Sequence, residues 1–190
     1  VKQRDDSKTE TIFAATLELV LEMGVAGITM RQIATKSGIA TGTLYIYFKD
    51  KEALVNELYH KCRAASVQSY FEGYDSGTRF ETCFNVIWKN ILAYRLKNFK
   101  ESVFMEQCYH SPYITGSTKE KSLHLIKPLT DLIERGKRER ILKDMDTKLL
   151  LIFMMGSITE LIKFTKYTNK RITQETIESA MTICWDGLKR

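Results

Sequence analysis

The chain has 190 residues, 44% of them apolar and 27% charged, a balance that excludes a disordered polar chain and suffices for one or two small domains. Its four cysteines, Cys62, Cys83, Cys108 and Cys184, form no CxxC pair and have no neighbouring ligand set, which argues against a disulfide framework or a zinc site and for reduced thiols. The net charge is +6, but residues 1–60 hold seven basic and eight acidic side chains, so bulk basicity says little; only Thr29 to Lys51, with Arg31, Lys36, Lys49 and Lys51 against Asp50, is locally positive.

Two prolines, ten glycines and long stretches of Leu, Ile, Lys, Glu and Met favour helices, and no segment alternates like a strand, so an all-α fold is expected. Ser7-Lys8-Thr9-Glu10 reads as a capping box opening a first helix over about Ser7 to Met23. Its apolar face is Ile12, Phe13, Thr16, Leu17, Leu19, Val20 and Met23, and Gly24 is the stop. A second box, Thr29-Met30-Arg31-Gln32, opens a helix that Gly38 ends too soon for it to stand alone. After Gly38 the segment Ala40 to Phe48 reads as another short helix, and Asp50 is a good N-cap for a long one from Lys51 to about Phe71.

Glu72 to Gly77 reads as a connection and Thr78-Arg79-Phe80-Glu81 as the next cap, with Phe80, Phe84, Ile87, Ile91 and Tyr94 facing inward. A short helix near Lys100 to Tyr109 stops at Ser111-Pro112, and the Ser/Thr-bearing stretch Gly116 to Glu120 restarts the chain into a helix reaching about Arg138, kinked at Pro128. Asp144 or Asp146 then opens a helix whose Leu149, Ile152, Phe153, Met155, Ile158, Leu161 and Ile162 cover over half its circumference, and Thr173 caps a last one striped by Ile177, Met181, Cys184, Trp185 and Leu188. Two such apolar final helices call for a second subunit, so a homodimer is expected through Phe153, Ile158, Ile177, Met181 and Trp185, with small Gly156 and Ser157 allowing close approach. The longest apolar run, Leu149 to Met155, is too short to span a bilayer and the N-terminus is polar, so the expectation is a soluble cytoplasmic protein with no membrane partner.

Two short helices joined by a tight Gly-bearing turn after an amphipathic helix form a helix-turn-helix pattern over about 29–48, whose second helix enters a major groove of double-stranded DNA. At about 100° per residue Leu44 and Phe48 share a small apolar back face, Ile46 falls almost opposite, Gly42 and Thr43 flank it, and Tyr45 and Tyr47 lie to either side. An aliphatic tip suits a thymine methyl, a threonine several base edges, and a glycine close backbone approach; tyrosines reach phosphates on the groove walls. Thr29 and Lys51 each sit at a helix start, where free amides favour an anion. Each has an ordinary alternative: Ile46 as scattered surface, Tyr45 and Tyr47 as packing, Lys51 as a solvated lysine.

The run Ile28-Thr29-Met30-Arg31-Gln32-Ile33-Ala34, followed by Gly38 to Leu54, resembles the DNA-binding signature of the tetracycline-repressor (TetR) family over roughly residues 7 to 55. The resemblance implies that Thr29, Thr41, Gly42, Thr43, Tyr45, Tyr47 and Lys51 correspond to DNA-contacting positions, while Ala40, where many members carry Ser or Thr, lacks a hydroxyl contact. It implies about nine helices, a helix-turn-helix domain over 1–50, a ligand-sensing and dimerisation domain over 51–190, and a repressor released from operator DNA by a small-molecule effector. Trp88, Tyr94, Phe104, Gln107, Cys108 and Tyr113, with Met105 and Tyr109, are the candidate effector-pocket residues, suited to a flat, hydrophobic or cationic molecule, with ordinary core packing as the alternative for each. No cofactor is indicated, and Glu106, Cys108, His110 and His60 lack metal-ligand spacing. The rival readings are a ligand-carrying helical protein, or an enzyme, for which no nucleophile, base and orienting residue stand in a recognisable motif.

Overall fold

The computed structural model describes residues 6–109 and 111–190. Among them it has nine helices: α1 Asp6–Gly27, α2 Met30–Ser37, α3 Thr41–Tyr47, α4 Lys51–Tyr70, α5 Phe80–Lys97, α6 Phe99–Tyr109, α7 Gly116–Arg138, α8 Thr147–Tyr167 and α9 Gln174–Leu188. The described residues include no strand, only one isolated antiparallel bridge between Leu142 and Lys189. The all-α expectation holds.

The chain forms two compact units, one of residues up to Ala65 with Asn98–Leu123, the other of Ser66–Lys97 with His124–Arg190. The unit carrying the helix-turn-helix therefore extends past the expected boundary at residue 50, taking in the first part of α4, all of α6 and the start of α7. Its core explains why. Ile12, Phe13, Val20, Ile33, Leu44, Phe48, Leu54, Leu58 and Tyr59 pack in one buried cluster with Phe104, Met105, Cys108 and Ile114. Helices of eight and seven residues are far below the length at which one is stable alone, so this packing is what keeps α2 and α3 folded.

Local chemistry sets the boundaries. Gly24 at φ 76°, ψ 160° breaks α1 where a stop is expected, but one further turn follows to Gly27. Met23, expected on the buried face, is 42% exposed. The second capping box forms as read: Gln32 N–H donates to Thr29 Oγ1 at 3.3 Å and the Thr29 amide to Gln32 Oε1 at 2.8 Å. Asp50 caps α4 through Ala53 N–H (2.8 Å), and Asp146, not Asp144, caps α8 through Leu149 N–H (2.8 Å). Thr173 caps α9 through Thr176 N–H at 3.1 Å.

Two expected caps differ. The Thr78 hydroxyl donates to the Asp75 carbonyl at 2.8 Å and lies 3.0 Å from Cys83 Sγ, and α5 begins at Phe80, one residue later than a cap at Thr78 would start it. The cap of α7 is Thr115, whose Oγ1 accepts from Thr118 N–H at 3.2 Å, one position before the stretch read as its start. Pro128 lies inside α7, which continues across it.

In the second unit Phe80 and Phe84 stack on Trp185, with centroids 6.2 and 5.1 Å apart. Gly136 is tightly enclosed, since a Cβ there would lie 2.5 Å from Phe80 Cζ and 2.7 Å from Leu142. α8 is apolar on two faces: Leu150, Met154, Ile158 and Ile162 are buried, while Leu149, Ile152, Phe153, Phe164 and Tyr167 are exposed. Ile158, expected at the subunit interface, is 0% exposed and belongs to the protomer's own core. Of the other expected interface residues, Phe153 is exposed and Ile177, Met181 and Trp185 are half-buried.

Candidate nucleic-acid interface

The turn between α2 and α3 is made by Gly38 in the left-handed region (φ 67°, ψ 19°), where a side chain would be strained. Its amide donates to Thr35 O at 3.2 Å and that of Ile39 to Ala34 O at 3.0 Å, which closes α2 and turns the chain sharply into α3. α3 is then seated from behind. Leu44 is 0% and Phe48 1% exposed, and the Phe48 ring lies 5.6 Å from that of Phe13.

The opposite edge is open. Ile46 is 78% and Tyr45 50% exposed, Thr41 and Gly42 are exposed, and Thr43 is half-buried. Nothing lies within 4 Å of the position a Cβ would take at Gly42. The two tyrosines are not equivalent flanks, since Tyr47 is half-buried and packs on the core cluster. A 3.6-residue wheel treats both sides of α3 alike; the tertiary neighbours do not.

Thr29 is exposed at the start of α2, its hydroxyl and amide both engaged with Gln32. Lys51 heads α4 with its ammonium donating to the Ala26 carbonyl at 3.0 Å and standing 4.4 Å from the centroid of the Tyr113 ring. A lysine ammonium has three donors, so protons remain for an anion. Lys49, whose side chain is 83% exposed, stands 3.7 Å from Asp50. Lys36 instead faces Glu18 (3.3 Å) and Glu22 (3.6 Å), and these carboxylates hold its pKa above the usual lysine value.

The expected effector-pocket residues fall in both units. Phe104 and Cys108 are fully buried in the core of the first, where burial pushes the Cys108 thiol up to about 12. Gln107 Oε1 accepts from Val25 N–H at 2.9 Å, satisfying an amide freed by the break at Gly24. Tyr113 lies beneath Lys51. Met105 is buried in the same core and Tyr109 is exposed. Trp88 is fully buried in the second unit, and Tyr94 packs edge-on to Tyr70 at 5.7 Å. Among the described residues no three His, Cys, Asp or Glu gather as they would around a metal ion, and no helix is long and apolar enough to cross a membrane. His110 lies outside the described residues.

Sequence reasoning missed Asn56 and the tie it makes to residues 113–115. No local signal carries a contact spanning 57 residues.

A short helix seated by two buried side chains, with an open edge of small, aliphatic and aromatic groups, defines a helix-turn-helix DNA-binding protein. Comparison with known proteins agrees. Residues 12–58 match the profile "Bacterial regulatory proteins, tetR family" and residues 80–189 match "Tetracyclin repressor-like, C-terminal domain". An uncharacterized HTH-type transcriptional regulator of Haemophilus influenzae is 21% identical over 200 residues, spanning 100% of both chains. The crystal structure of a TetR family transcription regulator from Marinobacter aquaeolei VT8 superposes with a TM-score of 0.89 at 24% identity, covering 100% of this chain and 99% of that one. A transcriptional regulator FadR from Bacillus subtilis, crystallised in complex with stearoyl-CoA, gives 0.72 at 17% identity, covering 94% and 98%. The chain belongs to the TetR family of bacterial transcriptional regulators.

Proposed function

We propose that this regulator is a homodimeric repressor that holds a two-fold operator through α3 of each subunit and is released by a small molecule. In this reading Ile46, Thr43 and Gly42 meet base edges, Thr41, Tyr45 and Tyr47 reach phosphates, and the starts of α2 and α4, with Thr29 and Lys51, clamp the backbone. The observation that carries it is the contrast along α3: Ile46 is 78% exposed while Leu44, two residues before it, is 0% exposed. An apolar side chain pushed into water on a rigidly seated helix has a use when that helix faces a groove.

Dimerisation is supported by the outward apolar face of α8, where Ile152 is 58% and Phe153 61% exposed, and by Ile183 on α9, which is 72% exposed. Two reading helices enter successive major grooves only when they stand about 34 to 36 Å apart. A ligand that alters this spacing releases the second head, and operator DNA weakens ligand binding by the same factor. The FadR regulator held stearoyl-CoA, so an acyl-CoA is the first effector to test.

The experiment is a gel shift on duplex DNA from beside the protein's own gene, with and without acyl-CoA. Wild type is expected to shift it and Lys51→Ala and Tyr47→Ala to lose the shift while staying folded. Equal binding by all three would overturn the assignment of this edge to DNA.

A further inference from the structure

The environment of Lys51 assigns a role to residues outside the helix-turn-helix, an inference that rests on the proposed phosphate contact. Lysine has a long stem and loses much rotamer freedom when fixed. Here the ammonium is already placed, by a hydrogen bond to Ala26 O at 3.0 Å and by the Tyr113 ring 4.4 Å from it. Ala26 belongs to the last turn of α1 and Lys51 to the first turn of α4, so the charge ties the end of one helix to the beginning of another.

Tyr113 comes from the segment between α6 and α7, and Asn56 on α4 holds that segment. Asn56 Nδ2 donates to Tyr113 O at 2.8 Å and to Glu52 O at 2.7 Å. Its Oδ1 accepts from Thr115 N–H at 3.1 Å and from Thr115 Oγ1 at 3.3 Å. Both donors and both lone pairs of the amide are used, so Asn56 clamps the backbone on either side of Ile114 as a neighbouring strand would. Ile114 itself is buried in the core cluster. The ring is therefore held in place and does not merely drift against the lysine.

We propose that Tyr113, clamped by Asn56, is a positioning residue for operator binding: it presets the Lys51 ammonium for a DNA phosphate, which makes the α6–α7 segment a working part of the reading head. The ordering cost of the lysine is met on folding, so phosphate binding does not have to meet it again. The cation faces the ring on one side and keeps a proton for the anion.

The test uses the full-length protein and the duplex it enriches from a random-sequence pool, with affinity measured by fluorescence anisotropy across a salt series. Tyr113→Leu is expected to weaken binding about two- to tenfold per head, the cost of ordering one long side chain that binding must then meet, and to lower the salt slope. Tyr113→Phe keeps the ring and is expected to bind like wild type. In a Lys51→Met background Tyr113→Leu is expected to add nothing, since its whole effect passes through the ammonium. Asn56→Ala, which keeps the Tyr113 and Lys51 side chains but releases the segment that carries the ring, is expected to weaken binding in the same direction, with far-UV circular dichroism showing each variant folded. Additive effects of Lys51→Met and Tyr113→Leu, tighter binding by Tyr113→Leu, or a Phe variant as weak as the Leu variant would each overturn the positioning role while the regulator reading stands. A wild type that enriches no duplex would sink both.

Discussion

Leu44 and Ile46 differ by two positions and by the whole of their burial, so truncating each should break a different property. Leu44 is 0% exposed among Ile33, Phe48 and their neighbours. Leu44→Ala removes its transfer energy and leaves a cavity, a cost of about 2–5 kcal/mol, a large share of the ~5–15 kcal/mol that typically separates a folded domain from its unfolded chain. Ile46, 78% exposed, buries about a fifth of its side chain; scaled from ~1.5–3 kcal/mol for full burial, Ile46→Ala costs at most about 0.6 kcal/mol of stability. Its loss should instead appear on DNA, about 1 kcal/mol per half-site for a forfeited base contact, or roughly fivefold. Urea denaturation followed by helical circular dichroism, paired with anisotropy on the enriched duplex, separates the two. The Leu44 variant should lower the denaturation midpoint at unchanged slope; the Ile46 variant should keep the midpoint and lose affinity. If Ile46→Ala destabilises as much as Leu44→Ala, or leaves specific binding intact, the assignment of the faces of α3 is wrong.

Gly136→Ala places a methyl 2.5 Å from Phe80 Cζ and 2.7 Å from Leu142, and overpacking of that kind costs about 1–3 kcal/mol, to be read as a lowered melting temperature. Burial pushes the Cys62 and Cys108 thiols up to about 12, whereas in the unfolded chain they ionise near about 8.5. Their contribution is therefore fully present below about pH 8.5 and is lost as pH rises toward 12. The denaturation midpoint should fall over that alkaline range, and by less in a Cys62→Ala/Cys108→Ala protein. Arg31, Lys49 and Lys51 are the cations of the reading edge once Lys36 is committed to Glu18 and Glu22; six phosphate contacts per dimer give a slope of log K against log salt of about −5, and a slope steeper than about −8 would place DNA contacts elsewhere on the chain.

What the sequence made legible was local. Thr29-Gln32, Gly38, Asp50 and Thr173 act within a few residues of themselves, and each turned out as its chemistry requires. The inward and outward faces of α3 also follow from helical period, because a seven-residue helix held by one neighbouring core has one buried side. The failures are nonlocal. Ile158 looks like an interface residue because α8 is apolar on two faces and periodicity does not say which one the protomer keeps. The split between Tyr45 and Tyr47 and the clamp made by Asn56 depend on elements that fold back from elsewhere in the chain.

The same nonlocality bears on where an effector can act. α3 is too short to hold itself, so its orientation is a property of the cluster that includes Phe104, Met105 and Cys108 of α6. A ligand that entered among those residues would have to open the core that seats Leu44 and Phe48, and it would abolish binding to any duplex, specific or not. A ligand lodged in the second unit, where Trp88 and Tyr94 lie, leaves that cluster whole and leaves each head able to bind one half-site. It releases the operator only by changing the distance between the heads of a dimer. The two routes separate on a single half-site duplex: the first effector weakens it as strongly as the full operator, and the second leaves it untouched.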